Sequence, residues 1–212
     1  MLRLYDYLPS QNGYKVRLLL AHLDLECERC MVEIFQGESR TATFLERNPG
    51  GAVPVLETSP GTFLAESNAI LFYLSQGTAF LPSDPLSVAR VVQWFCFEQN
   101  QLESSVGSLR YWTLTGKLKR RNPDTVALLR HKGEQALKAL ERGLDGRDFL
   151  VDNRYTVADI ALFAYTHVAE DGGFALAEFP AVRAWISRIR SHPGHLDETH
   201  SYDIDPNSAG EL

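Results

Sequence analysis

Cysteine is rare in this sequence, and long apolar runs are missing. The chain has three cysteines, an odd number that argues against a framework of disulfide bonds. No apolar stretch approaches the roughly 20 residues that a membrane-spanning helix needs. The N-terminus also lacks the apolar region of a secretory signal. We therefore expect a cytoplasmic protein without a membrane partner.

Positive charge is also scarce. The sequence has 27 acidic residues against 21 lysines and arginines, and the net charge of −6 creates no basic field for nucleic acid. The six histidines form no metal-ligand spacing with cysteines or carboxylates. Neither a P-loop nor a glycine-rich dinucleotide fingerprint occurs. We expect no nucleic-acid partner and no metal site.

Two of the cysteines, Cys27 and Cys30, have the CxxC spacing of a redox dithiol. A redox pair of this kind sits at a helix N-terminus, where the dipole stabilises the thiolate. Here the pair follows a helix and leads into the strand-like segment 29–35. In a strand, three residues span about 10 Å, which is too far for a disulfide. We interpret the pair as two cysteines in or near a strand.

The first part of the chain, residues 1–76, follows the order β-α-β-α-β-β-α. Apolar periodicity and turn residues predict strands at 2–7, 28–35, 53–57 and 62–64, and helices at 14–23, 41–47 and 67–75. This order defines a thioredoxin-like domain, which is a small mixed sheet with helices on its faces. Residues 77–86 contain two prolines and are predicted to form a linker.

Only helical patterns follow the linker. Helices are predicted at 87–114, 123–144, 160–168 and 181–191, so that residues 87–194 form an all-helical bundle domain. Thr156 and Asp159 have the spacing of a capping box at the start of one helix. Residues 195–212 are predicted to be a polar tail, frayed or lying on the surface. The predicted fold class is α/β followed by all-α.

Motifs in this frame resemble those of a known family. Val53-Pro54 is followed by the segment Glu66-Ser67-Asn68-Ala69-Ile70, and the all-helical domain comes after both. Together these features resemble the cytosolic glutathione S-transferases, and in particular bacterial serine- or asparagine-type members of theta-like and nu-like classes. The resemblance implies an enzyme that activates the thiol of glutathione for attack on a small hydrophobic electrophile. It also implies a homodimer with glutathione as co-substrate and no metal.

The same resemblance assigns two contacts to glutathione. It implies a cis bond before Pro54, so that the backbone of Val53 pairs with glutathione like an added strand. It also implies that Ser67, as an N-cap, and the first turn of its helix bind the γ-glutamyl carboxylate. Glu66 would accept from the γ-glutamyl ammonium.

The chain departs from the family at the glycyl end of glutathione. Many relatives carry a lysine or histidine after the second strand, whereas this chain has Gln36, with Arg40 as a compensating candidate. Relatives also often have glutamine before Val-Pro, whereas this chain has Ala52. Gln36 carries no charge, so the first of these changes predicts a lower affinity for glutathione.

Two residues after the first strand compete for the role of activating the thiol. Ser10 aligns with the serine-type classes and is favoured, whereas Asn12 fits the asparagine-type nu class. A hydrogen bond donated to the thiolate lowers its pKa. Tyr5 and Tyr7 are a third option, which we interpret as packing or cleft-wall residues.

The electrophile is predicted to contact Pro9, Arg110, Tyr111 and Trp112. Aromatic residues at helical spacing are more often part of a core, so packing between helices is the alternative for this set. Two other functions stay open. One is a glutathione-dependent disulfide reductase or peroxidase, which Asn12 allows. The other is a non-catalytic binding protein that has kept the fold.

Overall fold

The computed structural model describes residues 1–203 and residue 205, and these form two compact units. The first unit comprises Met1–Thr78 and Pro193–His200. The second comprises Ala79–His192 and the described residues beyond His200. None of the described helices is both long and apolar enough to cross a membrane.

The first unit is built on one four-stranded sheet. Its strands, in the order β2-β1-β3-β4 across the sheet, are β1 (Leu2–Asp6), β2 (Cys27–Met31), β3 (Val55–Ser59) and β4 (Thr62–Ala65). Strand β1 runs parallel to β2 and antiparallel to β3, and β3 and β4 form an antiparallel hairpin. This mixed sheet confirms the predicted thioredoxin-like architecture.

Three helices accompany the sheet: α1 (Gln11–His22), α2 (Ala42–Arg47) and α3 (Ser67–Leu74). The main apolar cluster joins α1 and α3 to the sheet through Leu4, Val16, Leu20, Leu56 and Ile70. A second cluster holds Val32, Phe44 and Val55. Because Val55 and Leu56 are consecutive strand residues, their side chains point to opposite faces, and the sheet is apolar on both.

Several element boundaries in the first unit differ from the predicted ones. The first helix begins at Gln11 rather than at residue 14, because Ser10 caps it. Strand β2 ends at Met31 rather than at residue 35, because its partner β1 ends at Asp6, which pairs with Met31. Strand β3 begins at Val55 rather than at Val53, since Pro54 has no N–H to donate to a ladder.

Cys27 and Cys30 both lie in β2, and both are free thiols. Three positions apart along a strand, their side chains point to opposite faces of the sheet. The interpretation as strand cysteines is therefore confirmed.

The second unit is helical. Its elements are α4 (Pro85–Phe97), a π-helical segment (Glu98–Gly107), α5 (Ser108–Leu114), α6 (Pro123–Leu144), α7 (Val157–Thr166) and α8 (Pro180–Arg190). The single helix predicted at 87–114 is thus interrupted by wider turns. Gly107 lies at the end of that segment, where a Cβ atom would come within 2.8 Å of the Tyr165 ring.

Helix α7 is buried along its whole length and begins at a capping box, as predicted. The Asp159 carboxylate accepts hydrogen bonds from the backbone N–H of Thr156 at 2.9 Å and of Leu150 at 3.0 Å. It also accepts from the Trp185 indole at 2.9 Å. One buried carboxylate therefore joins the start of α7 to α8 and to the loop before it.

The segment 193–200, which follows the last helix, packs within the first unit. The Tyr14 hydroxyl donates to the Leu196 carbonyl at 2.7 Å, and Glu198 accepts from Arg17 at 3.2 Å and from Arg29 at 3.0 Å. Of the predicted polar tail, residue 204 and residues 206–212 lie outside the described residues. The predicted boundaries 1–76, 77–86 and 87–194 stay predictions.

Candidate active site

Ser10 lies in the short connection between β1 and α1 and caps the helix. It has an extended backbone, with φ −67° and ψ 124°, and its Oγ accepts from the backbone N–H of Gly13 at 3.5 Å. The residue is buried, so its hydroxyl faces protein groups at the N-terminal end of α1. This end carries the partial positive charge of the helix dipole, which favours an anion nearby.

Gly13 is required by the packing behind this helix end. A Cβ atom at this position would overlap the carboxylate of Asp6, which pairs with the buried guanidinium of Arg17. Burial raises the pKa of Asp6, and the charge of Arg17 opposes that effect. The ion pair and the glycine together fix α1 against the end of β1.

Asn12, Lys15 and Ser67 form a hydrogen-bonded cluster between α1 and α3. The Lys15 ammonium donates to Asn12 Oδ1 at 2.8 Å and to Ser67 Oγ at 3.3 Å. The Ser67 hydroxyl also lies 3.2 Å from Asn12 Oδ1, to which it donates. Asn12 and Lys15 are three residues apart and share one face of α1. The structure thus brings together two of the predicted site residues and adds a lysine.

Lys15 is the site residue that sequence reasoning missed. The sequence suggested no role for it, yet its side chain is fully buried. A fully buried lysine is rare because the charge is costly to remove from water without partners. The signal in the sequence was the spacing, which puts Lys15 one turn after Asn12.

The start of α3 differs in one detail from the prediction. Ser67 is the first helical residue, and Glu66 occupies the capping position without a side-chain cap. The predicted role of Ser67 as N-cap is therefore wrong, because its hydroxyl bonds to Asn12 instead. Glu66 is exposed and has a φ of 68°, a sparsely populated conformation for a residue other than glycine.

The loop between α2 and β3 contains the predicted Val53-Pro54 turn. The bond between these two residues is cis, as the resemblance implied. Arg40 supports this loop, since its guanidinium donates to the Gly50 carbonyl at 3.0 Å. A side chain at Gly51 would collide with Arg40, because a Cβ atom there would lie 2.5 Å from Nη1.

Gln36 ends a short 3₁₀ turn, Ile34–Gln36, and is exposed. Among the described residues of the first unit, no hydrogen bond or ion pair joins it to Arg40 or to the cluster of Asn12, Lys15 and Ser67. The structure therefore does not bring Gln36 into that cluster.

The residues predicted to contact an electrophile fall in both units. Pro9 lies in the first unit, whereas the other three lie within α5 in the second. Arg110 is 2% exposed and pairs with Asp171 at 3.0 Å. Tyr111 packs edge-on against Tyr202. Arg110 and Tyr111 therefore both have partners within the second unit. The role of these residues in binding an electrophile stays a prediction.

Trp112 also has a neighbour within the second unit, since the Arg121 guanidinium lies 4.8 Å from its ring centroid.

Among the residues that the structure describes, no group of three or more histidines, cysteines and carboxylates is arranged to hold a metal ion.

The arrangement suits an anionic ligand. The hydroxyl of Ser10, the amide of Asn12 and the ammonium of Lys15 supply donors around the N-terminal end of α1. The first turn of α3 offers backbone N–H groups beside Ser67, and such a turn binds carboxylates.

Comparison with known proteins gives a consistent result. Residues 1–76 match the family "Glutathione S-transferase, N-terminal domain", and residues 111–193 match "Glutathione S-transferase, C-terminal domain". A solved glutathione S-transferase from Pseudomonas fluorescens Pf-5 is 41% identical, with a TM-score of 0.91 over 94% of this chain and 99% of that one.

Two further similar proteins bear on chemistry. The disulfide-bond oxidoreductase YfcG of Escherichia coli K12 is 28% identical over 91% of this chain and 92% of its own length. A second solved glutathione transferase family member from Pseudomonas fluorescens Pf-5 holds two bound glutathione molecules. That structure is 25% identical, with a TM-score of 0.79 over 91% of this chain and 89% of its own.

Proposed function

Because the chain belongs to the glutathione S-transferase family, we propose that it binds glutathione, ionises its thiol and transfers the sulfur to a small hydrophobic electrophile. The observation that carries this proposal is the cluster of Asn12, Lys15 and Ser67 beside the capping residue Ser10. It combines an anion-binding helix start with donors suited to a thiolate. We further propose that the enzyme works as a homodimer in the cytoplasm.

Glutathione binding would use the two motifs that frame the cluster. The γ-glutamyl carboxylate would accept from the first turn of α3 at Ser67, and Glu66 would accept from the γ-glutamyl ammonium. The backbone of Val53, before the cis bond, would pair with the cysteinyl part of glutathione as an added strand. Arg40 would approach the glycyl carboxylate, although its contact with the Gly50 carbonyl uses part of its donor capacity.

Thiol activation needs a modest free energy. A free thiol has a pKa of about 8.5, and lowering it by about two units requires about 2.7 kcal/mol. A charge-assisted hydrogen bond from Ser10 or Asn12 contributes about 1.5–3 kcal/mol, and the N-terminal end of α1 adds to it. The thiol proton leaves to solvent. The thiolate then forms a carbon–sulfur bond while the electrophile's leaving group departs or its double bond accepts the electron pair.

The test is the ultraviolet absorbance of the thiolate of bound glutathione as a function of pH. We expect the native protein to ionise bound glutathione near pH 6–7, and Ser10→Ala or Asn12→Ala to raise that value toward the free one. Ser104→Ala, an exposed serine in the second unit, is the matched control. A native protein that does not bind glutathione would remove the proposal and favour a non-catalytic binding protein.

A second candidate is a glutathione-dependent disulfide reductase. Asn12 and the similarity to the oxidoreductase YfcG favour it. Both reactions need the same thiolate, so they differ in what it attacks: a carbon atom or a sulfur of a disulfide. Rates with an aryl halide and with a small disulfide substrate, both in the presence of glutathione, separate them. A disulfide rate far above the conjugation rate would replace the first proposal with the second.

A further inference from the structure

The second unit has a groove of its own, apart from the candidate active site. Its volume is about 590 Å³, within the range of about 300–1,000 Å³ that small-molecule sites occupy. Every residue that lines it belongs to the second unit. Among them are residues of α8 and of the connection that precedes it: Arg183, Ile186, Ser187, Arg190, Glu170 and Leu176.

Two arginines in this groove have no partner for their charge. Among the described residues, neither the Arg183 nor the Arg190 guanidinium takes part in a hydrogen bond or an ion pair. Arg188 of the same helix, by contrast, pairs with Asp148 at 3.0 Å. The chain has 27 acidic residues against 21 lysines and arginines, so carboxylates are plentiful. The groove therefore leaves two guanidiniums open to an anion from outside the chain.

The spacing of these arginines and the apolar residues between them describe the shape of a ligand. Arg183 and Arg190 are seven positions apart on α8, so they share one face and lie about 10 Å apart along the helix axis. Leu176 and Ile186 line the same groove and are each 7% exposed. A ligand that satisfies both features has an apolar body with an anionic group at each end.

The remaining titratable groups of the groove set the limits of its charge. Glu170 is the one carboxylate among the described lining residues, and it forms no ion pair with Arg183 or Arg190. His167 also lines the groove, and its ring stacks on that of Phe163. The charge of Glu170 opposes an anionic ligand, so its removal should strengthen binding.

We propose that this groove binds a small dicarboxylate with an apolar chain, one carboxylate on Arg183 and the other on Arg190. The planar guanidinium suits this task, because its N–H donors match the two oxygens of a carboxylate. Leu176 and Ile186 contact the chain of the ligand, and Ser187 lies between the two arginines along α8. This site is separate from glutathione chemistry, so its test needs no glutathione.

The probe is azelate, whose two carboxylates flank an extended apolar chain of matching length. Nonanoate has the same chain with one carboxylate, and glutarate has two carboxylates on a shorter chain. Isothermal titration calorimetry with the full chain measures the dissociation constants at low and at moderate ionic strength. We expect azelate to bind about tenfold more tightly than either comparison ligand. Added salt should weaken its binding, because salt screens the two charge pairs.

Substitutions of the two arginines test their assigned roles. Arg183→Gln and Arg190→Gln should each weaken azelate binding about tenfold. Arg142→Gln is the matched control, because it removes one positive charge from an exposed site in α6, outside the groove. That control should leave the dissociation constant nearly unchanged.

Two further variants separate the site from general electrostatics. Glu170→Gln should tighten azelate binding, a gain that misfolding cannot produce. Ser187→Phe fills the groove without changing any charge and should weaken binding. Circular dichroism and thermal unfolding check that each variant is folded.

Three results would overturn the inference. The first is a native protein that does not bind azelate at about 1 mM. The second is nonanoate binding as tightly as azelate, because one carboxylate would then suffice. The third is an Arg142→Gln variant that weakens binding as much as Arg183→Gln, because the effect would then belong to the net charge and not to the groove.

Discussion

The guanidinium of Arg17 donates through Nε to the carboxylate of Glu198 at 3.2 Å, although 181 residues separate them in the chain. The Arg17 side chain is 2% exposed, and that of Glu198 is 18% exposed. Arg17 also pairs with the buried Asp6, so one arginine in α1 serves two carboxylates. Leaving a buried charge without its partner is costly, and the contact therefore holds segment 193–200 on the first unit.

Replacing Glu198 by glutamine should destabilise the first unit. The Glu198→Gln variant keeps the shape of the side chain and loses its charge toward Arg17 and Arg29. We expect the free energy of unfolding to fall by about 1–3 kcal/mol. Urea unfolding followed by circular dichroism measures it. Asp197→Asn, at an exposed neighbouring position, is the control and should change little. Equal stability of the two variants would refute a role for the tail contact.

The same contact should depend on pH. Burial alone would raise the pKa of Glu198, but the hydrogen bond from His200 and the charges of Arg17 and Arg29 hold it below its ordinary value. A carboxyl with a depressed pKa in the folded state contributes stability above its unfolded value of about 4.3. That contribution is lost as the pH falls through the lower, folded value. The difference between native protein and Glu198→Gln should therefore be full at pH 7 and shrink below about pH 4.

Replacing Asp159 by asparagine should be more damaging than most helix-cap changes. Both carboxylate oxygens accept hydrogen bonds, from Thr156, Leu150 and Trp185, and an asparagine nitrogen would face a buried donor. We expect Asp159→Asn to cost about 2–4 kcal/mol. Asp84→Asn is the matched control, because that exposed cap accepts from Ser87 and asparagine caps equally well. Similar costs in both variants would contradict this account.

Asp159 should also give the second unit a characteristic pH dependence. Burial raises the pKa of this carboxyl to about 6, against the opposing effect of its hydrogen bonds. A raised folded pKa means that the stability contribution is full below the unfolded value of about 3.9 and is lost as the pH rises through about 6. Unfolding measured across this window should show a decline that Asp159→Asn lacks. A native profile that rises across the same window would contradict the assignment.

A methyl group at Gly13 should break the ion pair beneath α1. The Gly13→Ala side chain would overlap the Asp6 carboxylate and displace it from Arg17. We expect a loss of at least about 3 kcal/mol in unfolding free energy. Gly61→Ala tests backbone strain alone, because Gly61 has a φ of 76° and no atom within 4 Å of the added Cβ. That control should cost about 1 kcal/mol.

The three cysteines should differ in reactivity. Burial, with a smaller effect of Cys30, raises the pKa of Cys27 to about 11, and burial also raises the pKa of Cys30. Cys96 is exposed. Iodoacetamide at neutral pH should therefore modify Cys96 first and Cys27 last, as followed by mass spectrometry. Cys96→Ser should abolish the fast reaction. A bond between Cys27 and Cys30 after mild oxidation would contradict their placement on opposite faces of β2.

The alternation of strand and helix patterns made the first unit predictable, because each pattern is local. The motifs at Val53-Pro54 and Glu66-Ser67 gave the resemblance, and with it the cis bond. Lys15 was missed because a lysine in an amphipathic helix usually faces solvent. Its burial follows from packing of α1 against α3, which is separated from it by about fifty residues of chain.

The interruption of the long helix was also beyond local reasoning. Residues 98–107 were predicted as part of one continuous helix, and the wider turns come with the packing of Tyr165 against Gly107. That contact joins α7 to a segment far earlier in the chain. The boundaries of β2 and β3 shifted for the same reason, since pairing with β1 and the missing N–H of Pro54 fix them. Helical periodicity alone carries none of this information.

The first unit is assembled from two distant stretches of chain, Met1–Thr78 and Pro193–His200. On a ribosome, the first of these emerges early, and the second only after all the described helices of the second unit have been synthesised. Arg17 can therefore pair with Asp6 early in translation, whereas its contact with Glu198 can form only near the end of synthesis. The thioredoxin-like unit, although its synthesis begins first, therefore acquires its last contacts only near the end of translation.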